Sequence, residues 1–363
     1  MRKFVIAATI AMCACTPRGS LTYDPEAASV GRVETVIVAT SRRKVQGPPY
    51  FDSERARSPN FALMGVSVPP ERKPGSISYP PTNGKPDPKT DFLLTSATTL
   101  AGTSDFIKAI NADLAKGARQ HQEATLFVHG FNTNFAEGLY RAAQLQHDMD
   151  RNGTSVFFSW PSQARALDYL ADQDNALYSR DALATTIEAM ARWNAKSINL
   201  AAHSMGTLLL MGTLRTMALP GHDQFFAKLN AVVLISADLD IDLFRQEAAP
   251  VVERGVDIFV VTSDRDKALR LSALVRGNSK RLGLLDNPDI LAPVQVTMID
   301  LSQAGTDGGS SHFKAGTSPA ILAFINELQA SGIDILNAHS PGLIANSVAF
   351  VQSGVNIIMK PLE

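Results

Sequence analysis

The feature that most constrains this chain is the pentapeptide Ala202-His203-Ser204-Met205-Gly206, which directly follows the apolar run Ser197-Ile198-Asn199-Leu200-Ala201. A short buried strand entering a small-x-Ser-x-Gly turn and leaving as a helix, Thr207 to Thr216, has the layout of a nucleophile elbow. Such a turn strains the backbone of the Ser, and small residues two before and two after it relieve the crowding. The hydroxyl then stands at the carboxyl end of the sheet, where a helix N-terminus favours negative charge. An elbow of this kind needs partners elsewhere in the chain, and these can be sought.

At 363 residues the chain can bury one large core or two ordinary ones. A formal net charge of -1 gives no basis for a nucleic-acid partner. Met1-Arg2-Lys3 is a short positive region, and Phe4 to Ala14 is apolar but too short to span a bilayer, which together read as a secretory signal. The two cysteines both fall here, at Cys13 and Cys15. Met12-Cys13-Ala14-Cys15 resembles a bacterial lipobox, a signal that would place a lipid on Cys15 and tie the protein to a membrane. Cys13 is a weaker alternative because Met12 before it is bulky, and an ordinary signal peptide or an uncleaved anchor are further alternatives. The expected location is the bacterial cell envelope, either as a membrane-anchored lipoprotein or in the periplasm. An exported chain without disulfides must draw its stability from packing, which this length permits.

Residues 1–15 are thus expected to be a signal, 16–32 a tether, 33–335 a catalytic domain and 336–363 a tail whose role stays open. Strands are expected at Glu34-Thr40, Ala62-Val68, Thr125-His129, Ser155-Trp160, Ser197-Ala202, Ala231-Ala237, Asp257-Thr262 and Val294-Asp300. Helical patterns occupy Phe135-Arg151, Asn175-Trp193, Thr207-Met217, Ile241-Arg254, Asp266-Val275 and Ser318-Gln329. From the third strand onward the runs are continuously apolar, as when helices cover both faces. The expected fold class is α/β: an α/β-hydrolase fold with a mostly parallel eight-stranded sheet and helices on both faces. The Pro-rich segment 69–96 is expected to be an irregular surface loop.

In that arrangement the nucleophile follows the fifth strand, an acid follows the seventh, and a His follows the last. Ser204 follows the fifth expected strand. After the seventh, Ser263-Asp264-Arg265-Asp266-Lys267 offers Asp266 as the acid, with Asp264 and Asp238 as rivals, and either residue after this strand could instead be a turn or N-cap residue. Among the seven histidines only His312 and His339 lie beyond the acid, and His312 sits in the loop between the last strand and the helix beginning near Ser318. An oxyanion hole needs two backbone N–H groups. Met205 is one candidate; the other is Phe131, following the Val128-His129-Gly130 turn, where Gly130 lets the backbone approach. His129 and His203 are taken to shape these turns rather than to act as the base.

With these stretches in view, the chain resembles the bacterial α/β-hydrolases of the domain-of-unknown-function 900 family, often described as esterase- or lipase-like lipoproteins. The resemblance rests on Thr40-Ser41-Arg42, Phe127-Val128-His129-Gly130-Phe131-Asn132-Thr133, Phe157-Phe158-Ser159-Trp160-Pro161-Ser162, Ala201-Ala202-His203-Ser204-Met205-Gly206 and Ser263 with Asp266-Lys267-Ala268-Leu269, over roughly 34–330. It implies a Ser/Asp/His hydrolase of the envelope and supplies no settled substrate. Ser310-Ser311-His312 departs from the Gly-His pairing expected there.

Taken together, the sequence points to an exported serine hydrolase of carboxylic esters. Ser204 would be the nucleophile, His312 the general base and Asp266 the residue orienting it. No metal or organic cofactor is implied, and the expected partner is a small-molecule or lipid ester. An acyltransferase, amidase or peptidase would keep the same triad, and a non-catalytic envelope scaffold could keep the fold.

Overall fold

The computed structural model describes residues 18–116, 123–149, 153–263, 266–277, 279–291, 294–300, 350–352 and 355–358. The continuous apolar runs form strands β4 (Glu123–Val128), β5 (Thr154–Ser159), β6 (Ser197–His203), β7 (Leu229–Ile235), β8 (Asp257–Thr262) and β9 (Thr297–Asp300), after an N-terminal trio β1 (Arg32–Lys44), β2 (Phe51–Val68) and β3 (Leu93–Leu100). Two short C-terminal strands follow, β10 (Phe350–Gln352) and β11 (Val355–Ile358). All join one sheet in the order β10-β11-β9-β8-β7-β6-β4-β5-β1-β2-β3. From β9 across to β1 every pairing is parallel, and the pairs at both edges are antiparallel.

The helices are α1 (Thr103–Leu114), α2 (Phe135–Asp148), α3 (Tyr169–Tyr178), α4 (Arg180–Ala191), α5 (Met205–Met217), α6 (Asp223–Phe226), α7 (Ile241–Val252) and α8 (Lys267–Val275). Alternation along the strands divides the core between the two faces of the sheet. Val36, Val38 and Phe157 pack with Ala136 and Leu139 of α2 on one side. Ile37, Ala39 and Phe158 share the other side with α1, α4 and α5. Helix α5 is buried almost all round, which suits its run of Leu and Met and places it in the middle of that layer.

Among the described residues the sheet has eleven strands, where eight were expected. One addition, β3, begins inside the segment expected to be irregular; residues 69–92 are indeed without a strand, but Leu93–Leu100 pairs with β2. The other two come from the C-terminal tail: β11 pairs antiparallel with β9 and thereby covers an edge that would otherwise present unpaired backbone groups. The last expected interior strand is shorter than its apolar run, Thr297–Asp300. One helix expected over 175–193 is two, because the chain turns at Ser179, whose hydroxyl donates to the carbonyl of Asn175 at 2.7 Å and accepts from Ser41 at 2.8 Å.

Residues 18–31, expected as part of a tether, lie along the body. Tyr23 bridges to Leu94, and Asp24 N–H donates to the Leu94 carbonyl at 2.8 Å. Arg18 reaches the start of α2, where it donates to Asn132 at 3.1 Å and pairs with Glu137 at 2.8 Å. Glu137 also completes a capping box with Asn134, so one carboxylate fixes both the N-terminus of α2 and the entering chain. Cys13 and Cys15 lie outside the described residues.

Candidate active site

Strand β6 is buried on both faces, and its carboxyl end delivers Ser204 into a backbone conformation of φ 51 and ψ -124. A β-carbon is rarely tolerated there, so the site stores strain of the order of 1–3 kcal/mol that the surrounding packing must sustain. Helix α5 starts at the next residue, so the N–H of Met205 has no acceptor within its own helix. Gly206 permits the close packing this needs: a β-carbon on it would come 2.4 Å from the His129 carbonyl oxygen.

The loop after β4 is pressed against the elbow. A β-carbon on Gly130 would come 2.6 Å from His203 Nδ1 and 2.8 Å from Ser204 Cβ. Phe131 follows directly, with its ring edge-on to Tyr169 at 5.2 Å. The two segments expected to furnish an oxyanion hole are therefore adjacent, and Asn132, at φ 56, turns the chain away toward α2.

This loop is held from below by a polar core that the sequence did not reveal as a unit. Arg42 is buried and donates to the carbonyls of Thr133 (3.0 Å) and Ser162 (3.2 Å) and to the Ser159 hydroxyl (2.8 Å). Burial lowers its pKa to about 10, and the nearby carboxylates of Asp172 and Asp52 oppose that shift. Ser162 accepts from Thr133 N–H at 3.3 Å and donates to Asp172, which also takes the Gln163 N–H at 2.7 Å. Burial pushes the Asp172 carboxyl up.

His129 stacks on Trp160 at 4.9 Å and 13°, and the Trp160 indole N–H donates to the His129 carbonyl at 2.8 Å. Burial, with Arg42 nearby, drives the imidazole pKa down to about 3 even though its nitrogens face the carbonyls of Gly130 and Trp160. The ring is neutral at physiological pH and sits within the loop's supporting core.

The three acid candidates fare differently. Asp238 follows β7, is buried, and donates its N–H to the Ser204 carbonyl at 3.3 Å. Its carboxylate accepts from Tyr169 at 2.6 Å and from Ser272 at 2.6 Å, with Arg281 at 3.6 Å. Asp266 follows β8, is also buried, and through Oδ1 caps α8 by accepting the N–H groups of Ala268 (3.0 Å) and Leu269 (3.1 Å). Asp264 and His312 lie outside the described residues.

Tyr169 ties the segment after β5 to the site. Its hydroxyl meets Asp238 and Ser272, accepts from Arg276 Nε at 3.0 Å, and has its pKa raised to about 12 by burial and by Asp238. No signal in the sequence singled out Tyr169. Arg42, Ser159 and Ser162 lay within quoted stretches, yet nothing in the sequence told what they bind.

Comparison with known proteins finds no match among curated proteins. Among solved structures, lipase B of Aspergillus fumigatus aligns with a TM-score of 0.39 and 12% identity over 67% of this chain. The alignment spans 63% of that lipase, under two thirds of its length. The product of the gene lin2722 of Listeria innocua aligns at 0.34 and 14% identity, over 56% of this chain and 92% of that one. Scores this low carry no functional weight. The family comparison is of another kind, because its match covers more than half of the chain and includes the Gly130 loop, the elbow and β7 to β9. The match starts at residue 104, beyond the Thr40-Ser41-Arg42 stretch. By this match over residues 104–330, the chain belongs to the α/β-hydrolase family of unknown function DUF900.

Proposed function

We propose that the protein is a serine hydrolase acting on carboxylic esters through an acyl-enzyme. The Ser204 oxygen attacks the ester carbonyl while its proton passes to His312. The amides of Phe131 and Met205 bind the resulting oxyanion. His312 then returns the proton to the departing alkoxide, and water, deprotonated by the same imidazole, releases the acid. Asp266 orients His312. Export and lipidation at Cys15 complete the proposal and place the enzyme in the bacterial envelope.

The observation that carries this reading is the backbone of Ser204, at φ 51 and ψ -124, between a buried strand and a helix N-terminus. A cheaper turn would serve if the residue only connected them. Asp266 is taken as the acid because it is buried directly after β8, while the carboxylate of Asp238 is engaged by the hydroxyl groups of Tyr169 and Ser272.

Labelling with a fluorophosphonate probe tests the proposal. The folded protein should label, Ser204→Ala should not, and Asp266→Asn should label far more slowly than Asp238→Asn. Absence of labelling in the folded wild type would sink the enzymatic reading, and a slower Asp238→Asn would transfer the acid's role to Asp238.

A further inference from the structure

Two successive carbonyls of the loop after Phe131 each accept from a guanidinium. Arg42 donates to that of Thr133 from the buried core at 3.0 Å, and the half-exposed Arg18 donates to that of Asn132 at 3.1 Å. Arg18 also donates to Oδ1 of Asn132 at 3.1 Å and to Glu137 at 2.8 Å. Asn132 stands at φ 56 and directly follows Phe131, the proposed oxyanion donor. Residues with a β-carbon seldom occupy that region, so a bond to each Asn132 oxygen holds a conformation the chain would otherwise leave readily.

The segment that carries Arg18 is itself tied down. Gly19 donates its N–H to Glu137 Oε1 at 3.0 Å, and its carbonyl accepts from Asn134 Nδ2 at 2.8 Å. A β-carbon on Gly19 would come 2.7 Å from Glu137 Cγ and 3.0 Å from the Tyr79 ring, so the chain threads a gap that only glycine fits. The Tyr140 hydroxyl donates to the Ser20 carbonyl at 3.1 Å and accepts the Thr22 N–H at 3.3 Å. Leu94 N–H donates to the Thr22 carbonyl at 2.9 Å, and Asp24 N–H to the Leu94 carbonyl at 2.8 Å. An exposed ion pair by itself is worth little. Glu137, however, is 11% exposed and already fixed by the N–H of Asn134 at 3.0 Å, and a planar fork that meets three acceptors is a specific clamp.

We propose that Arg18 is a positioning residue for the reaction: acting through Asn132, it holds the Phe131 amide where the oxyanion forms. Residues 18–24 are then a strap that completes the active-site loop from outside, while Arg42 completes it from within. The chemical part of this inference rests on the hydrolase reading. The hold of the strap on the loop does not, so the two can fail separately.

The test compares the full chain as wild type, Arg18→Ala, Gly19→Ala and Lys108→Ala; the last removes an exposed ion pair with Asp105 on α1 and serves as control. Gly19→Ala crowds the strap off Glu137 while leaving the charge of Arg18 in place. Hydrogen exchange read by mass spectrometry reports on the loop. The amides of residues 130–133 should exchange about tenfold faster in Arg18→Ala and Gly19→Ala, and at the wild-type rate in Lys108→Ala. Fluorophosphonate labelling reports on the chemistry. In the first two variants its limiting rate should fall about tenfold, with the half-saturating probe concentration and the final labelled fraction unchanged, because an oxyanion donor acts in the transition state rather than on binding. Unchanged exchange in both variants overturns the strap's hold on the loop. Faster exchange with unchanged labelling overturns the positioning role, and so does a smaller labelled fraction at an unchanged rate, which would mean partial unfolding. A folded wild type that never labels would end the hydrolase reading and the positioning role together, and exchange alone would then decide whether the strap holds the loop.

Discussion

Arg42 holds the carbonyl of Thr133 at 3.0 Å, so a guanidinium from the first strand fixes the loop whose Gly130 is pressed against Ser204. The same side chain serves Ser159 and Ser162, and no shorter cation reaches three acceptors in a planar fork. Arg42→Lys and Arg42→Met should each slow fluorophosphonate labelling by about 10–100-fold through misplacement of the loop. Arg42→Met should also cost about 3 kcal/mol in chemical denaturation, because buried acceptors lose their donor. Unchanged labelling in a folded Arg42→Lys would separate this residue from the site.

Gly130→Ala would drive a β-carbon to 2.8 Å from Ser204 Cβ, so either the loop or the elbow must move. Labelling should fall about 100-fold while the melting temperature drops by only a few degrees. Gly102→Ala is the control, since a β-carbon there meets nothing within 4 Å and its effect on labelling should be nil.

Ser204→Gly should abolish labelling and raise stability by about 1 kcal/mol, because glycine adopts φ 51 without the penalty a β-carbon imposes. Ser204→Ala should abolish labelling without that gain. Urea midpoints of the two variants side by side decide the point, and equal midpoints would show that the elbow is unstrained.

Glu247 on α7 is buried, 4.0 Å from Arg180, and burial raises its pKa to about 7 from a reference of 4.5. A carboxyl whose folded pKa lies above its unfolded value binds more protons when folded. Stability should therefore be highest below pH 4.5 as far as this group is concerned, fall as pH rises toward about 7, and level off above. Glu247→Gln should remove this fall, worth up to roughly 3 kcal/mol, in urea titrations at successive pH values.

The strand-turn-helix at Ser204 and the interior parallel strands were legible because buried strands and an elbow leave local marks: continuous apolar runs, small residues at fixed offsets. Helix α1 left a mark too, in Phe106, Ile110 and Leu114 at a four-residue spacing, although the expected elements did not include it. Strand β3 left little, since from Ser96 onward its residues are polar or half-exposed. The break at Ser179 and the burial of Arg42 have tertiary causes. Each depends on a residue more than a hundred positions away, Ser41 for the one and Ser159 or Ser162 for the other. Choosing among Asp238, Asp264 and Asp266 is a matter of which oxygen points where, and spacing along a chain holds no record of that.

The stack of His129 on Trp160 has an optical consequence. The chain contains two tryptophans, both buried, and Trp160 is bonded to the very residue that precedes Gly130. Burial and Arg42 hold the imidazole pKa down to about 3, so near neutral pH this ring places no charge against the indole. Its emission is a native beacon for the loop: a ligand or substitution that shifts the Gly130 turn should register in fluorescence before it registers in turnover.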